Sequence, residues 1–407
     1  MHQGHDAQPL PLRAGSGGGL SAPAGHSGGF RRAVPLDGWS PLWTGLARVG
    51  GVLPSAGRAH ADPWALLRRG EHPSGRGRAD GRLVRADRSA RSDGAPRFDA
   101  AIAPGGYGWW YVDAISEDPK GGQGRHGLTI IAFLGSVFSP YYKASGRGAP
   151  LNHAALNVAL YGPKARWAMT ERGQGEVTQE RDALAIGPSS VRWTGQALEI
   201  DIVEQDKRLG IPWQRPVRGT IRVFPEALNP VSFALDPEGK HTWHCLAPRA
   251  RIEVDMREPG VSWTGRAYLD SNFGSESLEE GFDVWHWSRA HLRDGALVCY
   301  EGTRSDKSHF ASAIRFDAYG TPQQVELPMT APLPNTLWQM ERKTRGDRGH
   351  ASVIKTWEDA PFYARSTLAS RLYGEQVVAV QESLDMRRFA SPVVQFMLPY
   401  RMPRVAS

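Results

Sequence analysis

From Arg97 onward the chain reads as short apolar runs, each closed by Gly, Pro, Asn or Asp. "GWWYVDAIS", "GLTIIAFLGSVFS", "HAALNVALYG", "RWAMTERG", "VRWTGQALEIDIVE", "GTIRVFP", "ARIEVDM", "VSWTGRAYLDSN", "DVWHWSRAHL", "GALVCYEG", "ASAIRFD", "HASVIKTW" and "SPVVQFMLPY" recur at this spacing. Such runs with turn residues between them predict β-strands. Nothing holds the 3.6-residue apolar repeat of an amphipathic helix beyond about three turns, and "ESLDMRRFA" is the short helical candidate. The expected class is mostly β, an antiparallel barrel or sandwich.

A chain of 407 residues is long enough for two domains, or for one domain with an appendage. Val191-Arg-Trp-Thr-Gly-Gln-Ala and Val261-Ser-Trp-Thr-Gly-Arg-Ala agree at five of seven positions, as a duplicated β-domain or a chance recurrence would give. Two β-units with a seam near residues 245–260 fit the length. The division expected is residues 1–96, 97–250 and 251–407.

Residues 1–96 are built from Gly, Arg, Ala and Pro, without apolar periodicity. They are expected to be disordered and to carry no chemistry. They hold 13 Arg and no Lys against 6 Asp and 1 Glu, a surplus of 13 − 7 = 6 out of the chain's +7. This extension reads as a passive segment, as the product of an over-long start, or as a basic tether to anionic lipid. The remaining chain is nearly neutral, which argues against a nucleic-acid-binding surface. The longest apolar run, "LTIIAFLGSVF", falls short of the roughly 20 residues of a membrane-spanning helix. The N-terminus lacks the regions of a secretory signal. Two cysteines, Cys245 and Cys299, make no disulfide framework and no zinc ribbon, and fit a reducing compartment.

Two short motifs carry little. "GHSGG" fits a nucleophile elbow but has no strand before it or helix after it, and "GQGRHG" precedes a strand-like run where dinucleotide binding needs a helix. In "GKHTWHCLAP", His241, Trp243 and Cys245 share one strand face and His244 takes the other. A metal held by His241, His244 and Cys245 would need ligands that a strand sends apart. Among the carboxylates, Glu253 and Asp255 alternate with apolar residues and should face solvent. Asp113 shares a face with Trp109 and Tyr111, and Asp283 precedes Trp285 and Trp287. Asp270 stands in "GRAYLDSNFG", where Tyr268, Asp270 and Asn272 share one face in a region dense with aromatics, in a chain with 14 Trp. An Asp113–Asp270 pair would suggest glycoside hydrolysis only if the two faced each other.

"PGGYGWWYVDAISED", "TIIAFLGSVFSPYY", "ALNVALYG", "RWAMTERG", "HTWHCLAP", "WTGRAYLDSNFGSESLEEGF" and "WHWSR" resemble, in order, the carotenoid 1,2-hydratase (hydroxyneurosporene synthase) family of purple phototrophic bacteria. The resemblance runs from about Phe98 to the C-terminus. It implies two lipocalin-like antiparallel β-domains, barrel or sandwich. It also implies cofactor-free addition of water to the terminal C1–C2 double bond of an acyclic carotenoid such as neurosporene or lycopene, and, with no convincing metal motif in the sequence, no metal is expected. The family's proposed catalytic residues fall on His241, Trp243, Tyr268 and Asp270, and Cys245 stands where the family pattern often has Pro. With Trp109, Trp285 and Trp287 as pocket walls, the aromatic setting of Asp270 acquires a reason. An ordinary Asp is almost wholly ionised at pH 7, and burial against apolar surface keeps it protonated, as a general acid requires. A peripheral protein on the cytoplasmic side of the bacterial membrane is expected. An isoprenoid cyclase and a carotenoid carrier are the competing functions.

Overall fold

The computed structural model describes residues 84–85, 93–117, 123–207 and 213–405. Most of the expected disordered extension lies outside them. Within it, Val84–Arg85 (β1) is a short strand, and Ala95 is buried.

A first antiparallel sheet takes in β1, β2 (Tyr107–Glu117), β3 (Gln123–Leu134), β4 (Ala154–Tyr161), β5 (Arg166–Arg172), β6 (Val177–Gln179), β7 (Ala183–Ile186), β8 (Ser189–Trp193), β9 (Leu198–Asp206), β10 (Arg215–Pro225), β11 (Phe233–Ala234), β12 (His241–Glu258) and β13 (Val261–Gly274). Its main order is β5-β4-β3-β2-β13-β12-β10-β9-β8-β7-β6. The sheet curls until Arg172 of β5 meets Glu204 of β9 at 2.8 Å, so it nearly closes into a barrel. A second sheet takes β14 (Phe282–Leu292), β15 (Gly295–Arg304), β16 (His309–Asp317) and β17 (Pro322–Val325). After a two-stranded ribbon of β18 (Thr330–Leu333) and β19 (Arg342–Arg345), it continues with β20 (Ala351–Asp359), β21 (Tyr363–Leu372) and β22 (Glu375–Asp385).

Burial along the strands shows how the sheets meet. β9 and β10 alternate buried and exposed residues, as a barrel wall facing water should. Along Tyr107–Ala114 of β2 every residue is buried. β12 is mostly buried on both faces up to Pro248 and alternates from there to Arg257, while β13 does the reverse, becoming continuously buried over Ala267–Asn272. The second sheet packs on the barrel's outer face there. One cluster, including Leu128, Ile130, Val158, Ile252 and Leu269, fills the barrel. A second, including Trp109, Tyr111, Trp243, Tyr268, Trp285 and Trp287, fills the space between the sheets.

The sequence reading needs three corrections. Residue 250 lies inside β12, and the change of sheet falls between Gly274 and Phe282. β12 crosses the expected seam because its register shifts let one strand serve both the covered and the exposed parts of the wall. The two similar heptapeptides lie in the same sheet. Val191–Trp193 ends a strand and a turn follows, whereas Val261–Ala267 runs straight on. "SPVVQFMLPY" is helical, as Pro392–Met397 and Leu398–Tyr400, because Ser391 caps Val394 N and Pro392 occupies the first turn. The short helix expected in "ESLDMRRFA" is Met386–Phe389.

Candidate active site

Trp243, Tyr268 and Asp270 come together on the β12–β13 hairpin. Trp243 pairs with Asn272 across the ladder, so its side chain lies beside those of Tyr268 and Asp270 on the outer face of the barrel wall. The Trp243 indole N–H is shared between the Tyr268 hydroxyl (3.1 Å) and Asp270 Oδ2 (3.0 Å). The Tyr268 hydroxyl donates to the same Oδ2 at 2.8 Å. Asp270 Oδ1 is buried and has no hydrogen-bond partner. Burial pushes this carboxyl up to about 8; the two donors oppose the shift, and the charges of Glu382 and Asp113 add to it. A protonated carboxyl has one hydroxyl and one carbonyl oxygen. With both donors on Oδ2, the proton belongs on Oδ1.

His241 lies elsewhere. It sits opposite Gly274, four residues along β13 from Asp270, or roughly 13 Å at strand rise. Its Nδ1 bonds the Tyr107 hydroxyl at 2.9 Å, and its Nε2 is 3.4 Å from Glu276 Oε1. A Cβ at Gly281 would come within 2.3 Å of Nε2, so the ring is wedged in place. Burial lowers its pKa. His244 points into the barrel and meets the Asn229 carbonyl. Thus His241, His244 and Cys245 do not converge, and no group of three or more potential metal ligands is found among the described residues.

The three pocket tryptophans divide. Trp109 and Trp285 line a cavity of about 90 Å³ between the sheets, with Tyr111, Phe133, Trp167 and Leu384. Trp287 lies behind it against Tyr268, ring centroids 5.2 Å apart. Asp270 does not line the cavity; its cross-strand neighbour Tyr111 does. A groove of about 990 Å³ runs past Trp338 and Val394 and contains none of the four expected catalytic residues.

Beside the cavity lies a buried ionic row that the sequence did not reveal. Asp113 receives Arg289 Nε at 2.8 Å and Arg365 Nη2 at 2.6 Å. Arg365 also pairs with Glu382, which accepts from the Tyr111 hydroxyl at 2.6 Å. Asp113 is therefore an anchor between the sheets and does not face Asp270 as a second catalytic carboxylate. Glu358 lines the cavity, accepts from the Tyr161 hydroxyl at 2.6 Å through Oε2, and leaves Oε1 buried without a partner. Burial pushes it up to about 7. Its only trace in the sequence is an acidic pair ending a strand, which reads as a solvent-facing turn. As expected, Glu253 and Asp255 lie on the outward face of β12.

The sequence profile of the family described as "Carotenoid hydratase CrtC" matches residues 130–407. The chain belongs to the carotenoid hydratase family. It is 47% identical over 385 residues to an acyclic carotenoid 1,2-hydratase of Thiocapsa roseopersicina, covering 93% of each chain. It is 45% identical over 393 residues to one of Rubrivivax gelatinosus, covering 95% of each. A third, of Cereibacter sphaeroides, is 41% identical over 276 residues, 68% of this chain and 98% of that one. The first two alignments must include most of residues 1–96, so the likeness begins well before Phe98 and the segment has counterparts in relatives. The third does without about a third of this chain. Family membership makes this chain a hydro-lyase of carotenoid biosynthesis. Among the described residues no helix is long and apolar enough to cross a membrane.

Proposed function

We propose that the protein hydrates the terminal C1–C2 double bond of acyclic carotenoids such as neurosporene and lycopene, without cofactor or metal, using Asp270 as the general acid. The observation that carries this reading is the Asp270 carboxyl itself, held near a pKa of about 8 with Oδ1 free and Oδ2 doubly bonded by donors. An unactivated alkene is a weak base and needs such an acid. The Oδ1–H bond breaks as a C–H bond forms at C2, leaving a tertiary cation at C1. Donors already aimed at Oδ2 stabilise the carboxylate left behind and need no reorganisation. The π-faces of Trp109, Tyr111 and Trp285 line the adjacent cavity, where each contributes roughly 0.5–2 kcal/mol of attraction to a cation. Water then adds to C1 and returns its surplus proton to the Asp270 carboxylate, which restores the acid. The chain end reaches Oδ1 by passing Tyr111 and Trp285. His241 acts at a distance, holding Tyr107 and the end of the hairpin.

The substrate dissolves in lipid, so the protein works as a peripheral protein on the cytoplasmic face of the membrane. Incubation with neurosporene in lipid, followed by mass measurement, tests the reading. Hydration adds one water, whereas cyclisation leaves the mass unchanged and a carrier returns the carotene intact.

A further inference from the structure

The helical stretch Pro392–Tyr400 is apolar on both sides. Val394, Met397 and Leu398 pack into the cluster between the sheets. Val393 and Phe396 point the other way, 67% and 70% exposed, and the Tyr400 ring meets Phe396 edge-on at 5.7 Å. The spacing i, i+3, i+7 makes one continuous apolar stripe on the surface. A stripe of this kind on a soluble chain marks a contact surface.

Three observations say what covers it. Leu384 lines both the aromatic cavity and the groove that Val393, Val394 and Met397 line, so the segment adjoins the cavity through that residue. From Met386 to the C-terminus there are four arginines and no acidic residue. Arg401 and Arg404 are paired inward with Asp206 and Glu171, and Arg387 and Arg388 lie 3.7 and 3.6 Å from Asp385, the Arg387 side chain remaining 64% exposed. Finally, Arg401 donates to the Lys207 carbonyl at 3.4 Å, which ties the segment to the end of β9, and Trp213, just ahead of β10, is 70% exposed. An exposed aliphatic and aromatic stripe ending in a half-exposed Tyr, with an arginine excess in the same stretch of chain, suits the boundary of head groups and acyl chains.

We propose that the Pro392–Tyr400 segment is the surface by which this protein docks on an anionic lipid bilayer, burying Val393 and Phe396 and bringing the adjoining cavity toward the lipid that dissolves the substrate. This rests on the reading of a lipid-borne carotene as substrate. Because most of the segment's arginines are paired internally, apolar insertion dominates and salt removes only part of the binding.

The test is flotation of the full-length protein with phosphatidylcholine–phosphatidylglycerol vesicles, wild type beside Val393→Ser/Phe396→Ser. Both side chains are largely exposed, so the variant should keep its fold by circular dichroism and hydrate detergent-solubilised carotene at the wild-type rate. Its vesicle partition should fall by roughly tenfold or more. Wild type should still float at about 0.5 M salt, where screening is nearly complete within a few ångströms. Flotation of the variant equal to wild type overturns the proposal. So does complete loss of wild-type flotation at that salt, which would assign binding to arginine charge as in the N-terminal extension. A wild-type dimer that the variant breaks, with equal flotation, would give the stripe to a second copy of the chain and also overturn it. Absence of hydration in detergent by both proteins would refute the catalytic reading and leave the flotation result standing.

Discussion

Trp243 and Asp270 stand 27 positions apart in the chain and 3.0 Å apart in the fold, with the indole N–H aimed at the carboxyl oxygen that Tyr268 also serves. The contact follows from the β12–β13 ladder, where Trp243 faces Asn272 and so lies diagonally beside Asp270. Burial keeps the Asp270 carboxyl protonated, and the Trp243 contact stabilises the carboxylate once the proton has left.

Asp270→Asn is nearly isosteric and keeps an acceptor for both donors. It has no acidic proton, so hydration should fall by roughly 10²–10⁴-fold or more, the usual contribution of a general acid. In the wild type, kcat/KM should decline on the alkaline side with a midpoint near the Asp270 value of about 8, since only the protonated form acts. Initial rates in detergent from pH 6 to 10 provide the check. A near-wild-type Asn variant would remove Asp270 from the mechanism.

Tyr268→Phe and Trp243→Phe each delete one donor to Oδ2 while keeping a π-face. Both donors hold the Asp270 pKa down against burial. Each variant should therefore move the alkaline limb upward and lower the plateau rate, by less than Asp270→Asn does. Limbs that stay in place would mean that neither donor touches the titrating group.

Asp113→Asn should act on stability. Asp113 is buried between Arg289 and Arg365, and its loss strips Arg289 of its carboxylate and leaves Arg365 with Glu382 alone, at a cost of about 3–5 kcal/mol. A urea titration showing an unchanged midpoint would contradict the anchoring role. Any activity lost should follow the folded fraction, with the alkaline limb moved slightly downward, because the Asp113 charge contributes a minor part of the upward shift at Asp270.

Stability should also report the two raised carboxyls. Between pH 4 and about 8 the folded protein keeps a proton on Asp270 that the unfolded chain has lost, so stability falls as pH rises through that window. Glu358 adds the same trend from its ordinary value of 4.5 to about 7. Asp270→Asn and Glu358→Gln should each gain on the wild type as pH rises, and show least difference at pH 4. Parallel curves for all three proteins between pH 4 and 9 would count against both shifts.

Exhaustive EDTA treatment should leave hydration intact with no cofactor added. Loss of activity restored by zinc would point to a metal that the placement of His241, His244 and Cys245 does not provide for.

Much of this was legible because strands declare themselves locally. Period two in "RAYLD" put Tyr268 and Asp270 on one face, and "HTW" put His241 and Trp243 on another; both assignments depend only on neighbours in the chain. Which part of each face meets which is a matter of register. The ladder carried Trp243 to Asp270 and left His241 opposite Gly274, and no residue type announces that offset. Glu358, Arg365 and Glu382 were hidden for the same reason: they are ordinary charged residues on strands until a second sheet closes over them. "SPVVQFMLPY" misled because its β-branched and aromatic residues outweighed the Ser-Pro start that fixes a helix.

The acid and both of its donors belong to a single hairpin, β12–β13, while the opposite wall of the cavity comes from the second sheet, through Trp285, Glu358, Tyr363, Glu382 and Leu384. Reactivity and selectivity are thus encoded in separate stretches of the gene. Substitutions at uncharged wall residues after residue 282, such as Trp285 and Leu384, can reshape which polyene fits without retuning the proton, whereas Glu382 touches both. Diversification of substrate range is therefore expected to proceed at the apolar positions, under a catalytic hairpin that stays fixed.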